Sequence, residues 1–547
     1  MAVNTGRRGL LRGAGGVVVA AALPWDLAMA QAANEGPGGG TLRVGMTAAA
    51  VPLTNGVPDQ GAEGHRFMGV TLYDQLIHWD LSKADAPAVL IPGLATAWKV
   101  DPENPRRWVF TIREGVKFHD GHLLTAQDVV FSFDRTLKTD APHFDQRAAA
   151  FGRVRVPTAV RWSAPDDRTF VLETNTVDST VPYGASWIGI VHQGAWEAAG
   201  RNWDSYMPRA VGTGPWKLES LSIRERAVLT RNAGYWDAKR VPKCERLVLL
   251  PLPEPNTRVA ALRSNQVDWI EAPPADAVPS LRQAGFDIVT NQYPHNWTWQ
   301  LATGEGSPWR DPRVRRGANL AIDRAGIKGM LGGLMDEGAG LLPLGSTWND
   351  VPKFKWGYDP AAARKLLTEA GVTPRTPLRT KIGISTSGSG QMLPMAMNEA
   401  LQQMLKEVGI EVEFEVFEWN TLLTIWRDGW KAPSNRGITG INISFTAIDP
   451  FTAMIRFLRS DLTPPAGNNW GGFANPGYDA LIGRILSEFE PVAQDRLVSE
   501  LHAKIVEDAL FLFVAHDLNP RAMAKRVQGF VQARSWFQDL TPVRVTG

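Results

Sequence analysis

Trp108-Val109-Phe110-Thr111-Ile112-Arg113-Glu114-Gly115-Val116-Lys117-Phe118-His119-Asp120-Gly121, followed by Leu124-Thr125-Ala126-Gln127-Asp128-Val129-Val130-Phe131-Ser132, is the stretch on which the fold is decided. Trp108, Phe110 and Ile112 alternate with Val109, Thr111 and Arg113, the period of a strand with one buried face. Upstream, the turn-forming residues 101–105 separate this run from Trp98, so residues 98–114 read as a β-hairpin. His119-Asp120-Gly121 makes a turn. Thr125 and Asp128 have the spacing of a capping box, which predicts a helix starting at Thr125 and burying Val129, Val130 and Phe133.

Outward from this block the pattern is mixed. Strands are expected over residues 41–45, 170–174, 227–231 and 246–250, with a helix over 256–264. From about residue 300 helices dominate. Asp311-Pro312 caps one that carries Val314, Ala318, Ala321 and Ile322 on one face, and Asp359-Pro360 opens another that Gly371 closes. A strand over 380–384, a helix over 391–408 and a strand over 410–417 follow in series. In the last, Ile410, Val412, Phe414 and Val416 alternate with Glu411, Glu413 and Glu415. Strand, helix and strand in sequence imply an α/β unit with a right-handed crossover. There is no repeat of solenoid period, so one large module is expected rather than an array.

With 547 residues, 44% apolar and 21% charged, the chain can divide its core between at least two domains. The formal charge of +2 resides in residues 1–30, where Arg7, Arg8 and Arg12 face Asp26 alone. The remainder is neutral, which gives no reason to expect a nucleic-acid partner. Cys244 is the single cysteine; it excludes an internal disulfide and reads as a buried, inert thiol. Residues 1–30 read as an export signal: paired arginines, the weakly apolar residues 9–23 and the small-residue site Ala28-Met29-Ala30. The paired arginines followed by Leu10 and Leu11 suit the twin-arginine route. A flexible Gly- and Ala-rich leader, residues 31–40, precedes the first strand. No later run reaches the eighteen or so apolar residues of a membrane span, so a soluble periplasmic protein is expected.

These segments, with Leu94-Ala95-Thr96-Ala97-Trp98-Lys99-Val100, Gly212-Thr213-Gly214-Pro215-Trp216, Tyr235-Trp236, Asp311-Pro312-Arg313-Val314-Arg315-Arg316 and Tyr358-Asp359-Pro360-Ala361, resemble the extracytoplasmic solute-binding proteins of peptide and nickel ABC importers, family 5. The resemblance spans nearly all of the chain after the signal. It implies a two-lobed α/β clamshell of the large peptide-binding class, with an extra subdomain in lobe one. Lobe one would take residues 41–292 and 516–547, lobe two 293–515, with crossings near Tyr293 and His516. It also implies a small-molecule or peptide-like ligand between the lobes, ABC permease subunits as partners, and a monomer. Most matching residues are scaffold: Gly212 and Gly214 permit tight backbone, and Trp98 and Trp108 fill space beneath the hairpin. His119 with His122 has the look of a metal pair, yet His119 belongs to the scaffold turn. No metal or cofactor is expected.

For the ligand, flat indoles with one N–H donor are the natural candidates: Trp297 and Trp299 beside the crossing, and Trp419 and Trp470 in loops after strands, ahead of Trp426 and Trp430. Peptide-binding relatives place an aspartate shortly before an Asp-Pro pair to meet the peptide's amino terminus. Here Asp449-Pro450 follows Ile443-Ser444-Phe445-Thr446-Ala447-Ile448, and Thr446 lies nearest that place. A hydroxyl cannot neutralise a buried ammonium, so a simple dipeptide is disfavoured unless another acid, Asp449 first, takes the role. An enzyme is not expected, since Gly-x-Ser-x-Gly, His-Glu-x-x-His and Gly-rich phosphate motifs are missing from the sequence. A periplasmic chaperone or receptor built on the same clamshell is the other alternative.

Overall fold

The structure, a computed structural model, describes residues 40–48, 50–51, 65–349, 356–388 and 390–546; the signal and all but the last residue of the leader lie outside them. Two seven-stranded sheets organise the chain. In the first, Thr41–Met46 runs parallel to both Arg246–Pro251 and Trp269–Glu271. Arg521–Met523 inserts antiparallel between Trp269–Glu271 and Asp287–Val289. In the second, His295–Leu301 is the central strand, fully buried, antiparallel to Phe511–Asp517 and Gly440–Asn442. The chain therefore passes between sheets twice, through residues 290–294 and 518–520. His516 itself lies within Phe511–Asp517.

The deciding stretch folds as its pattern requires. Ala95–Asp101 and Asn104–Ile112 form a hairpin within a separate four-stranded antiparallel sheet, with Trp98 opposite Phe110 and Val100 opposite Trp108. Trp108, Phe110 and Ile112 are buried. The helix Ala126–Leu137 follows, its Thr125 N–H donating to Asp128 Oδ2 at 2.9 Å in the expected capping box. The turn at His119 meets the Gly212–Gly214 segment. The Gly212 N–H donates to His119 Nδ1 at 3.3 Å, and Nε2 lies 3.0 Å from the Gly214 carbonyl, which fixes the Nε2–H tautomer. A Cβ on Gly212 would fall 1.9 Å from the Leu72 carbonyl oxygen, so only glycine fits there.

In the second half, Leu378–Ser385 and Ile410–Phe417 pair in parallel around the helix Pro394–Glu407, which starts three residues later than its apolar pattern suggested because Pro394 sets its first turn. The one-sided burial of Ile410–Phe417 also breaks at its end: Val416 is exposed and Phe417 buried, since the other face of the strand is covered there by the core cluster that includes Trp419 and Leu422. Cys244 is buried, its S–H aimed at the Val543 carbonyl, and burial pushes its thiol up to about 11. Among the described residues no helix is long and apolar enough to cross a membrane.

Both passages between the sheets are tied to one buried carboxylate. Glu271 pairs with Arg521 at 2.8 Å and with Arg66 at 3.3 Å, and accepts the Trp269 indole N–H at 2.7 Å. Arg66 in turn donates to the Tyr293 hydroxyl at 3.3 Å. Desolvation pushes the Glu271 carboxyl up, but the two guanidiniums outweigh it and hold it below the usual carboxylate range. Glu271→Gln, which leaves two buried cations short of their anion, should lower unfolding stability by about 3–5 kcal/mol, read from urea denaturation.

Buried neutral histidines set the acid limit. Burial holds His119 and His516 down at about 4, and His295 and His502 at about 3. His502 Nε2 accepts the Leu341 N–H at 3.1 Å, a bond lost on protonation. The unfolded chain binds these protons near pH 6.5 and the folded chain does not, so stability falls as pH drops from 6.5 toward 4. The loss is about 2 kcal/mol per histidine at pH 5. Asp517, raised by burial to about 6, acts oppositely over the same range. It returns only about 1.4 kcal/mol at pH 5, so the histidines decide the sign. The melting temperature should fall steadily between pH 7 and 5, and His516→Asn should flatten the slope.

Candidate functional site

A cavity of about 280 Å³ lies between the two halves of the chain, beside the outward passage, which contributes Gln292 and Pro294. Trp79, Tyr183 and Arg534 wall it from the first sheet's side, and Trp348, Ile448 and Asp495 from the second's. The halves also touch directly. The Ser179 N–H and hydroxyl donate to the Leu486 and Ile485 carbonyls, each at 2.9 Å, and Gln494 donates to the Ser179 hydroxyl at 2.6 Å.

The chemistry of the wall is that of a pocket for a small polar organic molecule. Trp79 donates to Ser186 Oγ at 3.1 Å and stacks on Phe537, which holds its ring at the rim. Trp348 is fixed by its N–H to Asp495 Oδ1, at 2.7 Å. Burial, with Asp449 and Asp495 nearby, pushes the Tyr183 phenol far up, so it stays a neutral donor. Arg534 Nε is buried and has no hydrogen-bond partner among the described residues.

Near this cavity are buried polar atoms without partners among the described residues: Ser385 Oγ, His295 Nδ1, the Gln391 amide, the Asn296 amide and the Trp419 N–H. Ser385 ends its parallel strand and Trp419 begins just past the end of the neighbouring one, the carboxyl edge at which open α/β sheets receive ligands. Two glycines let these groups pack closely. A Cβ on Gly390 would lie 1.8 Å from the His295 ring, and one on Gly388 2.5 Å from the Trp419 indole. Thr446 sits opposite His295 in the antiparallel pair, just before the cavity residues Ala447 and Ile448. Native interiors leave few such groups unpaired, so these atoms are available to water or to a polar ligand.

Of the residues singled out in the sequence, neither Thr446 nor Trp419 lines the cavity: Thr446 pairs with His295 across the sheet, and Trp419 is buried in the second half's core. Trp297, Trp299 and Trp470 are fully buried in the second half's core. Trp297 donates to the Gln391 carbonyl at 3.1 Å and Trp299 to Asn398 Oδ1 at 2.7 Å. Trp426 donates to Gln300 Oε1 at 2.7 Å, and Trp430 packs half-buried against the same core. None of these indoles lines the cavity. Asp449 is committed elsewhere: its carboxylate takes the Thr452 N–H at 2.7 Å and hydroxyl at 2.6 Å. The acid that does line the cavity is Asp495, in the first turns of the helix Pro491–Glu507. Sequence reasoning missed Asp495, Arg534, Trp79 and Trp348. They lie far apart in the chain and carry no local motif, and only the two passages bring them together.

Residues 89–459 match the sequence profile of the bacterial extracellular solute-binding proteins, family 5 (middle region). The chain is 26% identical over 510 residues to di/tripeptide-binding protein 2 of Pseudomonas aeruginosa UCBPP-PA14, covering 89% of this chain and 93% of that protein. Its fold is similar to that of the periplasmic binding protein DppA from Helicobacter pylori in complex with the peptide STSA. The TM-score is 0.77 at 19% identity, over 94% of this chain and 100% of that one. It is likewise similar to AgaA of A. tumefaciens R10 in complex with agropinic acid, with TM-score 0.74 at 19% identity, over 93% and 99%.

Proposed function

Because the chain belongs to the bacterial extracellular solute-binding proteins, family 5, we propose that it is the capturing component of an ABC importer, closing two lobes over a small organic solute for delivery to a membrane permease. The observation that carries this reading is the cavity walled by both halves of the chain, near buried polar groups without partners among the described residues. Residues 41–292 and 516–547 form one lobe in this reading and 293–515 the other, with the narrow return between sheets at 518–520. Contacts made from both sides exist only in the shut state, so ligand shifts the population toward it.

The volume is near the lower end for small-molecule sites, roughly 300 Å³, and so suits a solute of about dipeptide size better than a long peptide. Its charges narrow the class further. The Arg534 guanidinium, exposed to the cavity and short of acceptors, favours a ligand carboxylate. Thr446 supplies no charge for an ammonium, and the acid of the lining, Asp495, already accepts the Trp348 N–H on Oδ1. Modified or conjugated amino acids are therefore favoured over free dipeptides, with Asp495 Oδ2 the remaining partner for an ammonium. Residues 1–30 would export the chain to the periplasm by the twin-arginine route, where it works as a monomer. Among the described residues the cavity lining includes no histidine or cysteine, so Ser346 and Ser535 have no imidazole beside them there to serve as a base for hydrolysis.

Two measurements test this. Small-angle scattering of the purified protein, with and without the solute that co-purifies with it, should show a smaller radius of gyration with ligand. An unchanged radius at saturation contradicts the clamshell reading. Calorimetry of that solute should give at least a ten-fold loss for Arg534→Ala, about the value of one charge-assisted hydrogen bond. Thr446→Asp should weaken the natural solute and improve capture of simple dipeptides. Tight dipeptide binding by the wild type would overturn the ligand class while leaving the capture role intact.

A further inference from the structure

His119 and His122, on either side of the Asp120-Gly121 turn, do not form a pair. His119 spends both ring nitrogens on the Gly212–Gly214 backbone, whereas His122 turns outward and meets His192, seventy residues on, with ring centroids 4.3 Å apart. Asp128, in the first turn of the helix Ala126–Leu137, completes the group. One ligand atom from each of His122, Asp128 and His192 lies within 4.8 Å of the other two. From this juxtaposition we propose that His122, Asp128 and His192 form a surface site for a divalent first-row transition metal ion, outside the interlobe cavity.

Three features make this more than proximity. His192 Nδ1 lies 2.8 Å from Asp120 Oδ2, the carboxylate–histidine arrangement that orients a metal-binding imidazole and leaves Nε2 for the ion. Asp120 is itself fixed, since its Oδ1 accepts the His122 N–H at 3.1 Å, so one carboxylate sets both the turn that carries His122 and the ring of His192. Phe118 packs beside both rings, 5.0 Å from His192 and 6.3 Å from His122, and limits the rotation of His192. Asp128 and His192 are buried, and the Asp128 Oδ2 is taken by the capping box, which leaves Oδ1 as a monodentate ligand. Only His122 is exposed. Its ring, 19° from parallel with His192, must swing out of the stack to point a nitrogen at a shared ion. That gives a hinged lid ligand on a prebuilt pair. Two imidazoles and one carboxylate, with solvent completing four-coordination, suit Zn2+, Ni2+ or Cu2+ over Mg2+ or Ca2+.

The test is titration of the full chain, freed of metal, with Zn2+ and separately with Co2+, whose visible absorption reports four-coordination by nitrogen and oxygen. Saturable uptake of one ion per chain is expected, with no uptake of Mg2+. His122→Ala, an exposed change that leaves the fold in place, should weaken Zn2+ binding at least ten-fold and remove the Co2+ bands. Asp120→Asn, which keeps the shape but not the charge, should weaken it by about 10–100-fold, the usual cost of losing an orienting carboxylate. Solute binding in the interlobe cavity should be the same in all variants. Failure of the wild type to saturate at about 100 µM free Zn2+ overturns the site, as does a His122→Ala protein that binds the ion as tightly as wild type.

Discussion

The buried pairing of Glu271 with Arg521 and Arg66 is the constraint on which the arrangement of the molecule rests. Arg521 opens the first strand after the return passage, and Arg66 holds Tyr293 on the outward one. One carboxylate thus anchors the base of both connections. Buried ion pairs often add little net stability, because desolvation offsets the Coulomb gain, but removing one partner is costly. Here that asymmetry favours specificity of geometry: any arrangement that separates the two passages strands a charge in the interior. Closure of the halves over a ligand can then be a hinge motion about a fixed pivot.

From this pivot the site follows. Tyr293 and Pro294 lead directly into His295, whose ring packs against Gly390, and His295 faces Thr446 across the sheet. After the return passage the chain places Arg534 and Ser535 on the opposite wall of the cavity. The buried polar atoms on one side and Arg534 Nε on the other come from different halves of the chain, and both are short of partners among the described residues. Such groups are costly when closed against protein and gain when closed against a polar ligand. On the proposed capture role, ligand-dependent closure is the physical consequence.

The tryptophans illustrate how residue type misleads without burial. Trp297 and Trp299 adjoin a passage in sequence, but they lie on a strand buried on both faces, and each spends its N–H on a neighbour within the core. Trp79 and Trp348, with nothing in their local sequence to mark them, are the indoles at the cavity. A similar exchange occurs among the acids and histidines. Asp449 caps its own helix while Asp495 reaches the cavity, and His122 finds its neighbour in His192 rather than in His119.

What the sequence determined by itself was local in its physics. The hairpin and capped helix around residues 98–137, the parallel pair 378–385 and 410–417, and the Asp-Pro helix starts are written in periodicities and caps that act over a few residues. So was the ordered set of segments that marked the family, because scaffold turns such as His119 to Gly121 and Gly212 to Gly214 tolerate few residues. What only the tertiary structure decided is which side chains share a space. That depends on two chain passages and the side of each sheet that a residue faces, so a shift of one position, as at Val416 and Phe417, exchanges core for solvent. Arg534, Asp495, Trp79 and Trp348 belong to one site because the fold closes on itself there, a property that no short-range pattern encodes.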